Sequence, residues 1–346
     1  MTRRTLLMMA QAMRAAPKAQ GVPWTQWGGP HRNFQTESTG IKEHWPARGP
    51  RVVWKRVLGE GYSSPSVEAG VLYTMYGKPR EEIVVAASTD TGQTLWEHSN
   101  PVQFQTDYGE VGNGPYATPL IVGDRLYTTG AAGRLQCLDR RTGKLIWAQE
   151  LWQEHRGTRL MYGYASSPIA FRATVIVPVG GRGSSVMAFR QVDGRIAWAK
   201  NEFPNAYSSP LLIDVDGLQQ LAVPMDGAVI AVNPHNGDLQ WQVPFRAQYG
   251  IAVSSPVWGP GNLLFVSAEY GAGTKVIELK RTGNQTTAAE LWTSNRLRLH
   301  HGNAMRLGDT IYFSSGGKGS PAILSAVDVR TGKIHWQERG ISKATF

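Results

Sequence analysis

Tyrosine recurs in this 346-residue sequence just before short apolar segments, and these tyrosines are its clearest candidates for a binding function. They stand in YSSP, YATP, YASSP and a second YSSP, and HGNA takes the same place later in the chain. An aromatic ring with a polar tip can both stack on a ligand and hydrogen-bond to it, which suits a binding surface. The alternative is that the rings only cap the strands that follow. The candidates are Tyr62, Tyr116, Tyr164, Tyr207 and His301.

Residues that could carry catalysis form no recognisable constellation. No G-x-S-x-G, H-E-x-x-H or Walker sequence is present, and the adjacent His300 and His301 are too few for a metal site. The one cysteine, Cys137, can form no disulfide within the chain, and we expect a buried, inert thiol. Asp107 and Glu110 lie in a long polar segment that is typical of a solvated loop. No catalytic, cofactor-binding or metal-binding residue is therefore predicted.

The composition favours an all-β globular protein with many tight turns. The chain is 41% hydrophobic and 18% charged, and it contains 39 glycines, 20 prolines and 12 tryptophans. No apolar run approaches the roughly 20 residues of a membrane span. The net charge is +10, but the basic residues are scattered, and even the densest group, Arg296 and Arg298 with the two histidines, reads as a solvated face. A nucleic-acid partner is not expected.

The first 22 residues resemble an export signal. Arg3 and Arg4 precede a short apolar stretch that is followed by small residues, a pattern close to a twin-arginine signal peptide. A disordered start is the alternative. An export signal would place the protein in the periplasm or outside the cell, and without it the protein would be cytoplasmic.

A tryptophan-containing sequence repeat extends through the rest of the chain. Five ten-residue segments align without gaps, each with a tryptophan preceded four residues earlier by glycine and ten residues earlier by a small residue. A sixth copy ends at Trp292, and Trp54 looks like a seventh tryptophan strand. Successive tryptophans are 42, 51, 51, 43, 51 and 44 residues apart, a period typical of propeller blades. The aligned residues are Trp96, Trp147, Trp198, Trp241 and Trp336, with Gly92, Gly143, Gly194, Gly237 and Gly332.

Each repeat predicts a four-stranded antiparallel blade. The innermost strand follows the Ser-Pro motif, and the glycine makes the turn before the outermost strand, where the tryptophan lies. We expect the tryptophans to be buried between blades and the small residue, such as Ala86, to make room for a neighbouring indole. The blades are predicted at about 62–98, 116–152, 164–200, 207–244, 253–293 and 302–338 within a propeller over 23–346.

The repeat, clearest in AVDVRTGKIHW, resembles the repeat of PQQ-type β-propellers, and the opening WTQWGGPHRNFQ resembles bacterial BamB-like and PQQ-binding-like proteins. The resemblance implies one of two functions. One is a non-enzymatic scaffold of the bacterial cell envelope that binds a protein or peptide, which we favour. The other is a dehydrogenase that holds pyrroloquinoline quinone and calcium, with a vicinal cysteine pair that a single cysteine cannot supply. A propeller that binds a small molecule or glycan is a third alternative.

The repeats also predict an unusual ring. The resemblance suggests eight blades, whereas the sequence supplies six and one extra outer strand at residues 51–58. We therefore expect an incomplete ring in which that strand flanks a gap. The alternative is that six blades close by themselves with residues 51–58 at one seam.

Overall fold

The computed structural model describes residues 22–40, 44–106, 108, 112–316 and 321–340, and these residues form six four-stranded antiparallel sheets. Each sheet is a meander in which consecutive strands pair, and a single 3-10 turn at Gln248–Gly250 is the only helical element described. The predicted all-β propeller of six four-stranded blades is confirmed. The predicted signal at residues 1–22 lies almost entirely outside the described residues.

The first three blades contain strands β1 to β12. Blade 1 consists of β1 Ser66–Glu68, β2 Val71–Lys78, β3 Glu81–Ser88 and β4 Thr94–Pro101. Blade 2 consists of β5 Leu120–Val122, β6 Arg125–Thr129, β7 Arg134–Asp139 and β8 Leu145–Glu150. Blade 3 consists of β9 Ile169–Phe171, β10 Thr174–Pro178, β11 Val186–Arg190 and β12 Ile196–Lys200.

The last three blades contain strands β13 to β24. Blade 4 consists of β13 Leu211–Val215, β14 Leu218–Met225, β15 Gly227–Val232 and β16 Leu239–Phe245. Blade 5 consists of β17 Val257–Gly259, β18 Leu263–Ala268, β19 Gly273–Thr282 and β20 Gln285–Ser294. Blade 6 consists of β21 Met305–Leu307, β22 Thr310–Ser315, β23 Ile323–Asp328 and β24 Ile334–Arg339.

The repeat tryptophans fasten each blade to the next. The indole nitrogen of Trp147 in blade 2 donates a 3.0 Å hydrogen bond to the carbonyl oxygen of Gln191 in blade 3. The indole also packs on the turn glycine of blade 3, Gly194, where a Cβ would come within 2.6 Å of the ring. The same pair of contacts, to a carbonyl and to a glycine three residues later, is made by Trp54, Trp96, Trp198 and Trp292.

The small repeat residue has a different partner from the one predicted. Ala86 and Cys137 lie directly opposite the tryptophan of their own blade, Trp96 and Trp147, in the β3–β4 and β7–β8 ladders. The space for the neighbouring blade's indole is made by the turn glycine, which has no Cβ. The predicted burial of Cys137 is confirmed.

Trp241 is docked in another way. The β19–β20 hairpin of blade 5 is longer than its counterparts, and its turn residue Gly283 has open space around it. The buried Gln220 of blade 4 replaces the turn: its Oε1 accepts a 2.7 Å hydrogen bond from the Trp241 indole, and its Nε2 donates to Thr286 of blade 5. A buried glutamine thus joins the two blades where the repeat is irregular.

The sixth blade departs from the prediction that every repeat tryptophan is buried. Trp336 contacts Tyr312 of its own blade with the same ring geometry that Trp96 and Trp147 have with Tyr73 and Tyr127. Trp336 is nevertheless 45% exposed, because no turn of the described residues covers it. No hydrogen bond or hydrophobic cluster of the described residues joins blade 6 to blade 1.

Residues 51–58 do not form the predicted outer strand. The segment belongs to no sheet, because no described strand lies beside it, and the nearest pairing is a bridge between Glu60 and Gly77. Only the tryptophan of this segment behaves as the repeat predicts. Trp54 lies on Gly92 of blade 1 and donates a 2.7 Å hydrogen bond to the carbonyl oxygen of Thr89.

Candidate functional site

A cavity of about 660 Å³ lies on the propeller axis, among the segments that lead into the innermost strands. Six lining residues occupy one repeat position, three residues before the Ser-Pro proline or its equivalent. They are Tyr62, Tyr116, Ala165, Tyr207, Val253 and His301. Residues between strands complete the wall, among them Tyr162, Tyr270 and His300. The structure therefore brings four of the five predicted site residues together.

Tyr164 requires a correction. The YASSP motif is one residue longer than YSSP, so Ala165 takes the position that faces the axis. Tyr164 turns into the wall instead, where it is buried and donates a 3.1 Å hydrogen bond to the carbonyl oxygen of Val179. Counting from the proline rather than from the tyrosine would have shown this difference.

The tyrosines of the cavity differ in exposure. Tyr62 is 65% exposed and its ring lies parallel to that of Tyr116, with an interplanar angle of 4° and centroids 6.0 Å apart. Tyr116 donates a 2.8 Å hydrogen bond to the carbonyl oxygen of Gly112. Tyr207 is buried, and desolvation raises the pKa of its hydroxyl to about 12. The Tyr207 hydroxyl is therefore a neutral hydrogen-bonding group near pH 7.

The histidines are held by the same wall. His300 Nε2 lies 2.7 Å from the hydroxyl oxygen of Tyr270, and the rings of His300 and His301 are 3.7 Å apart. Arg298, predicted to belong to a solvated basic face, is half-exposed and forms a salt bridge of 3.1 Å with Glu269. No group of three His, Cys, Asp or Glu side chains suited to a metal ion occurs in the described part of the chain.

The N-terminal segment closes one end of the cavity. Trp27 lines the cavity and donates a 2.8 Å hydrogen bond to Ser255 Oγ of the blade 5 motif. Arg32 is buried and donates hydrogen bonds to the carbonyl oxygens of Ser167 and Pro168 in blade 3, and burial lowers its pKa to about 9. Trp24 pairs with Val67 of β1. This segment crosses the axis as a plug, a feature that the repeat pattern could not indicate.

The Ser-Ser-Pro motifs form a belt of hydrogen bonds around the axis. The first serine of a motif donates its hydroxyl to a carbonyl of the next blade, as Ser166 does to Ser208 and Ser208 does to Ser254. The second serine accepts a backbone N–H from the blade before it, as Ser209 does from Ser167 at 2.9 Å. From the sequence, the serines are predicted only as small residues at the start of the innermost strands, which lie close together around the axis. The hydroxyls also join neighbouring blades.

The fold and the axial cavity define a β-propeller of tryptophan-docked blades. The profile of the family described as outer membrane protein assembly factor BamB matches residues 80–338, and the chain belongs to this family.

The chain is similar both to quinoprotein alcohol dehydrogenases and to BamB proteins. It is 26% identical over 236 residues to the quinoprotein alcohol dehydrogenase PedH of Pseudomonas putida, covering 60% of this chain and 37% of the enzyme. It is 38% identical over 90 residues to BamB of Aliivibrio fischeri, covering 25% of this chain and 22% of that protein. A europium-containing methanol dehydrogenase superposes with a TM-score of 0.56 at 13% identity, over 82% of this chain and 69% of the enzyme. The chain spans less than two fifths of the length of the curated relatives it matches.

The resemblance to quinone-dependent dehydrogenases implies bound pyrroloquinoline quinone and calcium. The described residues of the cavity do not fit these two groups. Trp27 lines the cavity, but no described Asp or Glu does. Calcium requires several oxygen ligands, usually including carboxylates. Cys137 is buried in the wall of blade 2 and has no vicinal partner. Asp107 and Glu110 lie outside the described residues. Within the described residues, no helix is long and apolar enough to cross a membrane.

Proposed function

We propose that this chain is a non-enzymatic binding propeller of the bacterial cell envelope, which holds a protein or peptide partner at the mouth of the axial cavity. The observation that carries the proposal is the distribution of exposed tyrosine. Tyr62, Tyr108 and Tyr249 are 65%, 48% and 76% exposed. Tyr108 and Tyr249 lie on connections from an outermost strand to the next innermost strand, and Tyr62 lies in the equivalent segment that leads into β1.

These connections surround one end of the cavity, so the three rings share one face. Tyr62 lines the cavity, and the ring of Tyr108 lies 5.4 Å from that of Tyr162, another lining residue. Tyr249 is two residues before Ile251, which also lines it. Every exposed tyrosine of the described residues is on this face. Exposed tyrosine is characteristic of protein interfaces, because the ring buries a large area at low conformational cost.

Membership of the BamB family supports a protein partner and a periplasmic location. The alternative function is that of a quinone-dependent dehydrogenase, and it is supported by the similarity to quinoprotein alcohol dehydrogenases. The cavity favours binding over that chemistry, since its described lining offers hydroxyl, amide and imidazole groups but no carboxylate for a calcium ion.

Site-specific photocrosslinking in the source bacterium tests the proposal. A photoreactive amino acid is placed at Tyr62 or Tyr249 on the mouth face, or at Val192, which is exposed in the β11–β12 turn at the opposite end. We expect discrete protein adducts from the two mouth positions and none from Val192. Equal adducts from both ends, or none from the mouth, would refute a partner at this face.

A further inference from the structure

The cavity accepts its occupant from one side only. Trp27 and the segment that carries it close one end, whereas the connections bearing Tyr62 and Tyr162 surround the other. Its volume of about 660 Å³ lies within the range of roughly 300–1,000 Å³ found for small-ligand sites. A polypeptide therefore enters by a short segment or a chain end rather than threading through the ring.

The described lining favours an uncharged occupant. No Asp, Glu, Lys or Arg of the described residues contributes to the cavity wall. A charged group taken from water into this cavity would lose its hydration without gaining an ion pair from a lysine, arginine or carboxylate of the described wall, which is unfavourable.

The hydrogen-bonding groups deep in the cavity favour acceptors on the occupant. Ser167 Oγ accepts the backbone N–H of Thr118, and Ser209 Oγ accepts that of Ser167, both at 2.9 Å. Each hydroxyl still carries its own hydrogen, so its contribution to an occupant includes a donated bond. Peptide carbonyl groups are suitable acceptors. Proline suits the site further, because it has no N–H group that would lose its partner on entering the cavity.

The rings near the mouth favour proline as well. The parallel pair Tyr62 and Tyr116 stands at the mouth, and Tyr162 lies 5.9 Å from Tyr207 further round the wall. Grooves lined by aromatic rings recognise proline-rich segments, whose polyproline II conformation is already formed and leaves its carbonyl groups unpaired.

From this combination we propose that the partner inserts an uncharged, proline-rich segment into the axial cavity, with Tyr62 and Tyr116 as its platform at the mouth. The proposal rests on the proposed function and names the chemistry of the partner at the same face. The proposed occupant is a peptide. A pyranose sugar, which also presents flat faces and hydroxyl groups, is the competing occupant.

Isothermal titration calorimetry of the full chain tests this proposal with a capped oligoproline of about eight residues. A capped glycine–serine peptide of the same length and a methyl glucoside serve as comparison ligands. We expect saturable binding of oligoproline alone. Binding should weaken by roughly tenfold or more in Tyr62→Leu and stay unchanged in Val192→Ala, because Val192 is exposed at the opposite end of the propeller and does not line the cavity. Both positions are exposed, so both variants should fold.

Other outcomes overturn the proposal. They are no binding of oligoproline to the unmodified chain, equal binding to both variants, or Tyr62-dependent binding of the glucoside in place of the peptide. If mouth-face adducts form in the photocrosslinking experiment while oligoproline does not bind, the proposed function stands and only this assignment fails.

Discussion

Trp147 of blade 2 packs its indole on Gly194 of blade 3 and donates a hydrogen bond to the carbonyl oxygen of Gln191, three residues before that glycine. The tryptophan of one repeat and the glycine of the next therefore form a single contact between neighbouring blades. The glycine performs two tasks, since its φ of 72° makes the turn and its missing Cβ admits the indole.

Removing a docked indole should destabilise the propeller far more than removing an exposed one. Trp147 is 8% exposed and Trp336 is 45% exposed. We expect Trp147→Ala to lower the free energy of unfolding by roughly 3–5 kcal/mol, the usual loss for a large buried aromatic side chain. Trp336→Ala should lower it by about 1 kcal/mol or less, as most partly exposed sites do. Denaturant unfolding measures both, with Lys144→Ala in the exposed turn as a near-neutral control.

The turn glycines permit a test that separates backbone strain from docking. Gly143 and Gly283 both have positive φ, 70° and 62°, but a Cβ at Gly143 would lie 2.4 Å from the Trp96 ring whereas Gly283 has open space. Gly283→Ala should cost about 1–2 kcal/mol for the left-handed backbone alone. Gly143→Ala should cost roughly 1–3 kcal/mol more, as overpacked sites do. Equal melting temperatures for the two variants would contradict the docking role of the glycine.

Sequence repetition predicts the blades well because each blade obeys the same local rules. The alternating apolar strands, the turn glycine and the small residue opposite Trp96 all lie within one repeat. Contacts between unlike parts of the chain leave no such periodic signal. The plug formed by Trp27 and Arg32, and the Gln220 bridge, are examples. In the candidate site, a single inserted residue moved Tyr164 into the wall, and lining residues outside the repeat position, such as Trp27 and Tyr162, were not predicted.

Glu82 provides a pH-dependent test of burial. Its carboxylate accepts a 2.8 Å hydrogen bond from the Ala131 N–H but is buried, and desolvation raises its pKa from 4.5 to about 7. Below pH 4.5 the group is protonated in both the folded and unfolded states and has no effect on stability. As the pH rises from 4.5 through 7, the unfolded state ionises first, so the folded state loses roughly 2–3 kcal/mol.

Glu82→Gln should therefore raise the free energy of unfolding at pH 8 and leave it nearly unchanged at pH 4.5, because the amide oxygen can still accept the Ala131 N–H. Glu81→Gln, at an exposed neighbouring position, is the matched control. The measurement is chemical denaturation of the three proteins at both pH values. A stabilisation independent of pH, or one shared by Glu81→Gln, would show that the buried charge is not its cause.

The claim that the propeller binds and does not catalyse is tested most directly by an assay for quinone-dependent turnover. The purified chain is incubated with pyrroloquinoline quinone and calcium, and reduction of an artificial electron acceptor is followed with alcohols and sugars as substrates. A quinoprotein alcohol dehydrogenase treated in parallel confirms that the reagents are active. We predict no reduction above the rate of the free quinone, because the described cavity wall supplies no carboxylate for the calcium ion. Acceptor reduction that saturates with substrate concentration would contradict the account.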